Sequence, residues 1–350
     1  MRILVTTAGG GNALNLVRSL RDAFGHNCTI VGVNADKYEL AKSNADKNYL
    51  VPKFNSGEYL STMERIIGFE EIYFMIPNHE LEIQTIVNSG FDYIKSKCFL
   101  PSKETVNLCI DKYALIDKLK RNGIDNVPES VRLDNLREKL VEVEYPTWMR
   151  LTKGAGSQGA FLAHDAEESN FWVDYWMEHK GVEESDFMLS EYLPGADYHY
   201  FSLWKNGEMI IGKSIERLKY CCGKYTLTGT SSSPSVCKLV KKHTLDYLTE
   251  KIVKTVDSNA NGLFGIDYKC DKNDEPCLTE INIGRFPRIN YIFNLGSKPN
   301  IAELYVKCGL GRSVEKYDMR FVYPDDVYLI RDFDTAPVMK TLDEIEDYFS

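Results

Sequence analysis

The sequence has 350 residues, of which 43% are hydrophobic, and a formal net charge of −9 at pH 7. This length and apolar content fit a globular protein of two or three domains, and the acidic balance argues against nucleic-acid binding without a local basic patch. The nine cysteines show no C-x-x-C spacing and two of them are adjacent, which favours free thiols in a reducing compartment.

The chain begins with "MRILVTTAGG", which predicts a strand and a turn rather than a charged and apolar leader. No run of 18 apolar residues follows. We therefore expect a cytoplasmic protein with no membrane partner and no nucleic-acid partner. Assembly as a homodimer is compatible with the sequence.

The first hundred residues alternate short apolar runs with polar, helix-like stretches. This alternation is typical of a parallel sheet covered by helices, as in an open Rossmann-like domain. The runs that predict strands are 3–5, 29–33, 72–76 and 98–100.

Three glycines, Gly9 to Gly11, follow the first strand, and Asp36 follows the second, about where a ribose-binding acid could lie. The G-x-G-x-x-G pattern requires a third glycine where this chain has Leu14. Tight packing of strand on helix is therefore favoured over dinucleotide binding at this turn.

The middle of the chain carries a helix and then a glycine-rich strand region. Residues 111–122 predict an amphipathic helix that ends at Gly123. The strings "VPESVRL" and "YPTWMRLTKGAGSQGAFLA" predict strands, the second interrupted by a loop. Aromatic residues at helical spacing predict a helix over 169–179, and we expect their rings to pack rather than to bind a ligand.

The string "GEMIIGKS" at 207–214 matches the phosphate-loop pattern G-x-x-x-x-G-K-[ST]. A P-loop follows a strand and begins a helix, whereas this string contains a strand-forming Met-Ile-Ile run. Its first glycine belongs to an Asn-Gly pair that predicts a hairpin turn. We therefore predict a hairpin strand, with Lys213 and Arg217 as side chains that could face a nucleotide.

A long helix is predicted over 238–256, and the last forty residues predict one or two peripheral strands. Between them, "GIDYKC" and "PCLTEINI" predict a second hairpin. If this hairpin turns at residues 273–274, antiparallel pairing places Asp267 opposite Glu280.

The period of two along a strand puts Asn282 on the same face as Glu280. The residues predicted to point to the other face are Ile266, Tyr268, Thr279 and Ile281. Two opposed carboxylates repel each other unless a cation lies between them, and two acids with an amide oxygen suit a hard divalent cation. A metal site is favoured here over an exposed polar hairpin face.

The loop "RLTKGAGSQG" offers the charges of Arg150 and Lys153. Its glycines would let the backbone approach phosphate groups closely. A flexible hairpin tip explains the same composition equally well.

Taken in order, these pieces resemble the ATP-grasp superfamily, and within it the carbamoyl-phosphate-synthase-like and D-alanine-ligase-like enzymes. The motifs that carry the resemblance are Asp111-Lys112, "MRLTKGAGSQG", "SEYLPGAD", Asp267 and Glu280-Ile281-Asn282. The resemblance implies a mixed α/β and α+β fold, with a Rossmann-like pre-ATP-grasp domain at 1–105 and a two-lobed ATP-grasp fold at 106–310. It places the lid lobe at about 125–190 and a C-terminal extension, packed on the body, at 311–350.

The resemblance also implies roles for single residues. Those assigned to ATP are Lys112, Arg150, Lys153, Gly154, Gly156, Ser157, Gly159, Glu191, Tyr192, Leu193 and Asp197. Those assigned to Mg²⁺, or to Mn²⁺ in its place, are Asp267, Glu280 and Asn282. The catalytic candidates are Arg285 and Arg217.

Within the ATP set, the resemblance implies that Lys112 and Arg150 contact the phosphates and that the backbone of the glycine loop closes over them. By the same resemblance, residues 191–193 would form the hinge beside adenine, and Asp197 would hold the ribose hydroxyls. Two departures stand out. Arg150 replaces the family's usual lysine, and "EINIGR" replaces the more usual Glu-Ile-Asn-Pro-Arg, which shifts the arginine by one position.

The activity implied is ATP-dependent ligation, in which a small-molecule carboxylate is activated as an acylphosphate and captured by an amine or a similar nucleophile. Arg217, Arg285 and Arg288 are candidate anion holders, although Arg217 and Arg288 are equally well explained as surface ion-pair residues. A regulatory or scaffold protein that binds nucleotide without turnover is the main alternative.

Two further alternatives are weaker. A nicotinamide-dependent oxidoreductase would use the glycine turn after the first strand, but the sequence offers no proton-donor pair for it. A nucleophilic site would combine Cys221 with His199 or His243, but no local signature supports it.

Overall fold

The structure is a computed structural model that describes residues 1–134, 137–154, 158–226, 233–295, 298–314 and 327–331. No helix within these ranges is long and apolar enough to cross a membrane. The helices are α1 Gly11–Phe24, α2 Lys37–Leu40, α3 Tyr59–Phe69, α4 Glu80–Asn88, α5 Asp92–Ser96, α6 Lys103–Ile110, α7 Lys112–Arg121, α8 Ala166–Lys180, α9 His243–Val256, α10 Asn290–Leu295 and α11 Ile301–Gly309.

The N-terminal sheet is parallel, which confirms the Rossmann-like prediction. Its strands are β1 Arg2–Thr6, β2 Thr29–Asn34, β3 Lys47–Leu50 and β4 Phe74–Ile76. They lie in the order β3-β2-β1-β4, so the direction of winding reverses between β1 and β4. In open α/β sheets, such a reversal creates a crevice at the carboxyl ends of the strands.

Two details of this sheet differ from the prediction. Strand β3 was not predicted, because "KNYL" has too few apolar residues to stand out from its neighbours. The predicted strand at 98–100 is wrong, since those residues form no strand. The ring of Phe99 instead lies 5.8 Å from that of Tyr305, so this run is apolar because it packs against a helix.

The glycine turn after β1 serves packing, as predicted. Gly9 has a φ of +85°, and a Cβ at this position would lie 1.6 Å from the carbonyl oxygen of Glu39. The Asp36 side chain accepts hydrogen bonds from the backbone N–H groups of Tyr38 and Glu39, and so it caps α2.

A second, antiparallel sheet lies in the middle of the chain, within the predicted lid lobe, and is called the lid sheet below. Its strands are β5 Ser130–Arg132, β6 Thr147–Leu151, β7 Phe161–Ala163 and β8 Phe187–Glu191, in the order β5-β8-β6-β7. Helix α8 confirms the predicted helix at 169–179. Its Trp172 ring stacks on Phe161 at 4.8 Å, which confirms packing for this ring, whereas Phe171 is 64% exposed.

The third sheet is the largest. Its strands are β9 Asp197–Lys205, β10 Glu208–Tyr220, β11 Pro234–Val240, β12 Gly262–Cys270, β13 Pro276–Ile283 and β14 Tyr328–Ile330. They lie in the order β13-β12-β9-β10-β11-β14, and every neighbouring pair is antiparallel. Strand β14 lies at one edge, as expected of a peripheral C-terminal strand. The rest of the predicted extension falls largely outside the described residues.

The predicted hairpin at Asn206 and Gly207 is confirmed. Both residues have positive φ values, of 52° and 77°, as a two-residue turn between β9 and β10 requires. The predicted helix over 238–256 is wrong at its start, because residues 234–240 form β11. In this strand the buried Cys237 and Leu239 alternate with more exposed residues, which is the period of a strand rather than of a helix.

One hydrophobic core joins the N-terminal sheet to the third sheet. It contains Ile3 and Val5 of β1, Phe201 and Leu203 of β9, and the buried faces of α1 and α11. The N-terminal domain is therefore packed directly against the sheet that carries the acidic residues.

Candidate functional site

The candidate site is a row of polar residues across four neighbouring strands of the third sheet. Strand β12 contributes Asp267, and its Cα partners are His199 on β9 and Glu280 on β13. Asn282 lies two residues further along β13. Arg217 comes from β10 and pairs with the carboxylate of Asp267.

The predicted pairing of Asp267 with Glu280 is confirmed. A register shift follows immediately, because Tyr268 pairs with Leu278 and leaves Thr279 as an extra residue. This bulge interrupts the predicted alternation of faces, since Leu278 and Ile281 both lie in the same core although they are three residues apart. The Thr279 hydroxyl donates to the backbone oxygen of Asp267 at 3.1 Å, which stabilises the bulge.

Asp267 is the most connected carboxylate of the row. Its Oδ1 lies 2.5 Å from His199 Nδ1 and 2.6 Å from Arg217 Nη2, and its Oδ2 accepts from Asn282 Nδ2 at 3.1 Å. Burial favours the neutral acid, but the Arg217 guanidinium outweighs it and holds the pKa of Asp267 well below its usual range. Asp267 is therefore ionised at neutral pH.

Arg217 joins two acids of the row. Its Nη1 donates to Asp197 at 3.1 Å while its Nη2 donates to Asp267. Burial opposes its charge, yet the carboxylates of Asp267 and Asp197 raise the pKa of Arg217 above its usual value. The Tyr220 hydroxyl donates to the other oxygen of Asp197. The predicted ribose ligand and the predicted metal ligand are thus held by one buried cation.

His199 belongs to the row, although the sequence analysis did not predict it as a metal ligand. Its side chain is 2% exposed, and burial lowers its pKa, so the ring is neutral and donates from Nδ1–H to Asp267. Its Nε2 atom has no partner among the described residues. The sequence offered no signal for this contact, because it depends on the pairing of β9 with β12.

Lys112 connects the row to the glycine-rich loop that follows β6. Its Nζ donates to the backbone oxygen of Gly154 at 2.7 Å and lies 3.5 Å from Glu280 Oε2. Asp111 caps α7 by accepting from the Ala114 N–H, which fixes Lys112 at the first position of the helix. A lysine predicted to contact phosphates thus lies beside a predicted metal ligand.

Arg150 also reaches the row from the lid sheet. Its Nη2 donates to the backbone oxygen of Thr279 at 2.7 Å, at the bulge next to Glu280. Burial lowers the pKa of Arg150, and the carboxylates of Glu280 and Asp267 oppose this effect. Its Nε atom is buried without a hydrogen-bond partner among the described residues. Arg150, predicted to contact phosphates, thus lies within the electrostatic influence of Glu280 and Asp267.

The glycine-rich loop is described only in part. Lys153 Nζ lies 3.7 Å from Asp111 Oδ2 and its side chain is 66% exposed. Gly154 and Gly159 have φ values of +117° and +67°. The predicted ligands Gly156 and Ser157 lie outside the described residues.

The predicted hinge, residues 191–193, connects β8 of the lid sheet to β9 of the third sheet. The Glu191 N–H donates to the Glu129 carbonyl at 2.7 Å. Leu193 is buried, whereas Tyr192 is exposed. The segment therefore passes from the lid sheet to the third sheet.

Arg285 lies at the turn that follows β13. Its Nη2 donates to Asn282 Oδ1, and its Nε donates to Glu80 Oε1 at 2.8 Å. Glu80 belongs to the N-terminal domain and was not predicted as a site residue. Arg288 is exposed, and its side chain lies 3.7 Å from the position that a Cβ of Gly11 would occupy.

Lys213, the lysine of the P-loop-like string, lies away from the acids. It is fully buried and donates to the backbone oxygens of Phe293 and Pro299 at 2.7 and 3.0 Å. Burial lowers the pKa of Lys213 to about 7. From Glu208 onward the string lies in strand β10, as predicted, and of the two candidate cations on this strand, Lys213 and Arg217, only Arg217 joins the row.

The cysteine–histidine alternative gains no support from the described residues. His199 is bonded to Asp267, and the His243 side chain is 76% exposed beside Asp246. Cys221 is buried.

The oxygen-bearing side chains of the row are of the type that a hard divalent cation takes together with phosphate groups. No cluster of three or more His, Cys, Asp or Glu side chains suited to a metal occurs in the described ranges. The opposed carboxylates of Asp267 and Glu280, with the amide of Asn282, form a partial oxygen set that phosphate oxygens and water would complete. Lys112 and Arg150 lie next to Glu280, where they would neutralise such phosphates.

The fold is a mixed α/β fold with several sheets, and comparisons with known proteins identify the family to which it belongs. The sequence model of a protein family described as the ATP-grasp domain matches residues 109–290. Because this match spans more than half of the sequence, the chain belongs to the ATP-grasp domain family. A search of curated proteins gave no significant match.

Several solved structures are similar over most of their length. An L-amino acid ligase from Bacillus licheniformis has 13% identity and a TM-score of 0.67, with 90% of this chain and 75% of that chain covered. N5-carboxyaminoimidazole ribonucleotide synthetase from Thermotoga maritima has 16% identity and a TM-score of 0.62, with 92% and 79% covered.

The biotin carboxylase domain of the Hydrogenobacter thermophilus 2-oxoglutarate carboxylase has 14% identity and a TM-score of 0.68, with 93% of this chain and 73% of that chain covered. That structure contains MgADP, ADP and bicarbonate. At such low identities these likenesses show a shared fold.

Proposed function

We propose that the protein is an ATP-dependent ligase that activates a small-molecule carboxylate as an acylphosphate for attack by an amine or a similar nucleophile. The observation that carries this proposal is the direct opposition of Asp267 and Glu280, with Lys112 and Arg150 at their side. Family membership and the solved structures of similar fold support it.

In this proposal Mg·ATP binds between the lid sheet and the third sheet. Asp267, Glu280 and Asn282 would hold Mg²⁺, which supplies charge neutralisation on the phosphates when bound. Lys112 and Arg150 bind phosphate oxygens, and residues 191–193 pass beside the adenine. The glycine loop from Lys153 to Gly159 covers the phosphates.

Arg285 and Arg217 have different roles in the proposal. Arg285 contacts the transferred phosphoryl group. Arg217 is buried between Asp197 and Asp267, so it sets the positions of these two acids. Asp197 would reach the ribose hydroxyls through the oxygen that it shares with Tyr220.

The reaction then proceeds in two steps. A carboxylate oxygen of the substrate attacks the γ-phosphorus of ATP, the bond to the β-phosphate oxygen breaks, and ADP leaves. The nucleophile next attacks the acyl carbon and expels inorganic phosphate, while a proton leaves the attacking amine. Positioning and charge stabilisation supply the rate enhancement, because phosphoryl transfer needs little covalent chemistry from the protein.

The alternative is a nucleotide-binding regulatory or scaffold protein without turnover. One observation favours it: both oxygens of Asp267 are bonded to protein groups, so a metal would have to displace some of these contacts.

The experiment that separates the two is ADP release in the presence of Mg·ATP and pooled carboxylates and amines. The proposed ligase releases ADP, and Glu280→Gln reduces the release by at least about 100-fold, since it weakens a ligand of the cation that would neutralise charge in the transition state. Release that is unchanged in this variant contradicts the metal assignment. Binding of ATP with no release from any pool favours the scaffold.

A further inference from the structure

We propose that Glu80 is a positioning residue for Arg285, so that the N-terminal domain sets the geometry of the arginine beside the transferred phosphoryl group. This inference rests on the proposed function, in which Arg285 contacts that group. The Arg285 Nε donates to Glu80 Oε1 at 2.8 Å, and the two side chains are only 18% and 16% exposed. On its other side, the guanidinium donates to Asn282 Oδ1.

The backbone on both sides of Arg285 also contacts the N-terminal domain. The Phe286 N–H donates to the buried Asn78 Oδ1 at 2.9 Å. Gly284 has a φ of +75°, and a Cβ there would lie 3.1 Å from Ile83 Cδ1. Three consecutive residues after β13 thus contact the segment 78–83 at the start of α4.

This segment is itself fixed to the core of its domain. The Thr6 hydroxyl donates to Glu82 Oε2 at 2.6 Å and accepts from the Asn78 N–H at 2.9 Å. The Tyr59 hydroxyl donates to the other oxygen of Glu82. A continuous set of buried hydrogen bonds therefore runs from β1 and α3, through α4, to the turn that carries Arg285.

These contacts surround the arginine of "EINIGR". The additional residue, Gly284, adopts a positive φ that favours glycine and seats the turn on Ile83. Glu80 and Asn282 then hold the Arg285 guanidinium between them. At this altered spacing, the arginine has a hydrogen-bond partner, Glu80, in the N-terminal domain.

Positioning and simple electrostatics predict opposite effects for the loss of Glu80. A carboxylate near a polyphosphate repels it, so removal of the charge alone would tighten nucleotide binding. If Glu80 instead orients Arg285, its removal frees the guanidinium, and ordering of such a side chain costs binding affinity. The loss should lower the binding affinity only of a nucleotide that has a γ-phosphate.

Titration calorimetry of the full-length protein with Mg·AMPPNP and Mg·ADP tests the inference. We expect Glu80→Ala to weaken AMPPNP binding by about fivefold and ADP binding by less than about twofold. Glu80→Gln should restore AMPPNP affinity to within about twofold of wild type, because its amide oxygen still accepts from Arg285 Nε. The control is Glu71→Ala, which removes an exposed ion pair with Arg2 in the same domain.

A double variant closes the test. In an Arg285→Ala background, Glu80→Ala should cause no further loss of AMPPNP affinity, because its effect passes through Arg285. Three outcomes would overturn the role of Glu80 without affecting the proposed function. They are tighter AMPPNP binding in the Glu80 variants, equal losses of affinity for both nucleotides, and an undiminished further loss in the double variant. A wild-type protein that binds neither nucleotide contradicts the proposed function and this inference with it.

Discussion

Arg217 bridges Asp197 and Asp267, two acids on neighbouring strands, with nitrogen–oxygen distances of 3.1 and 2.6 Å. All three side chains are at most 16% exposed. Loss of the arginine would leave two buried carboxylates without their main countercharge, and breaking a buried pair in this way costs about 3–5 kcal/mol.

We therefore expect Arg217→Met to reduce the free energy of unfolding by about 3 kcal/mol or more, measured by urea denaturation at pH 7.5. Arg121→Met is the matched control, because Arg121 forms an exposed helical ion pair with Asp117 and should change the free energy by less than about 0.5 kcal/mol. Equal effects of the two substitutions would show that the bridge does not stabilise the fold.

Glu82 should make stability depend on pH. Burial raises the pKa of this carboxyl to about 7, even though Thr6 and Tyr59 donate hydrogen bonds to it. The folded state thus holds the proton more tightly than the unfolded chain, in which the pKa of a glutamate is near its ordinary value of 4.5. The stabilisation is complete below about pH 4.5 and is lost as the pH rises through about 7.

Thermal unfolding of Glu82→Gln should reveal this contribution. The shift corresponds to about 3 kcal/mol at most, so wild type should lose up to this amount between pH 5 and pH 8 relative to the variant. Parallel pH profiles of the two proteins would contradict the assignment of this titration to Glu82.

Lys213 should contribute to stability rather than to nucleotide binding. Lys213→Met leaves the carbonyls of Phe293 and Pro299 without this donor, and we expect a loss of about 1–3 kcal/mol in the free energy of unfolding. The affinity for Mg·ATP, measured by calorimetry, should stay within about twofold of wild type. A selective loss of ATP affinity in a stable variant would restore a phosphate-binding role for the P-loop-like string.

Gly9 should not tolerate a side chain. A Cβ would clash with the Glu39 carbonyl at 1.6 Å, and the φ of +85° adds strain, so Gly9→Ala should lose about 2 kcal/mol or more. Gly68→Ala is the control, because this glycine lies in α3 with no atom within 4 Å of the added Cβ. Alanine should stabilise the protein there by about 0.5–1 kcal/mol. Both effects are measurable by urea denaturation, and a tolerated Gly9→Ala would contradict the packing role of the turn.

The sequence was sufficient for features whose geometry is local. The pairing of Asp267 with Glu280 follows from the strand period and a nearby turn, and the Asn206-Gly207 hairpin follows from two residues that accept positive φ. The bulge at Thr279 was not predicted, because the alternation of polar and apolar residues alone does not reveal an extra residue in a strand.

Contacts between distant segments could not be predicted in the same way. His199 and Asp267 meet because β9 pairs with β12, and nothing within either strand specifies that pairing. Glu80 reaches Arg285 because the N-terminal domain packs on the third sheet through a shared core. The apolar residues at 98–100 led to a wrong strand prediction, because an apolar run indicates burial without specifying a strand.

In the proposed function, Asp267 and Glu280 bind ATP through a divalent cation. Calorimetric titration with ATP, in the presence and in the absence of Mg²⁺, measures this dependence. We predict that wild type binds ATP tightly only with Mg²⁺, that it does not bind NAD, and that Glu280→Gln loses the Mg²⁺-dependent part of the affinity, by about tenfold or more. ATP binding that is independent of Mg²⁺ and equal in wild type and Glu280→Gln would contradict the claim.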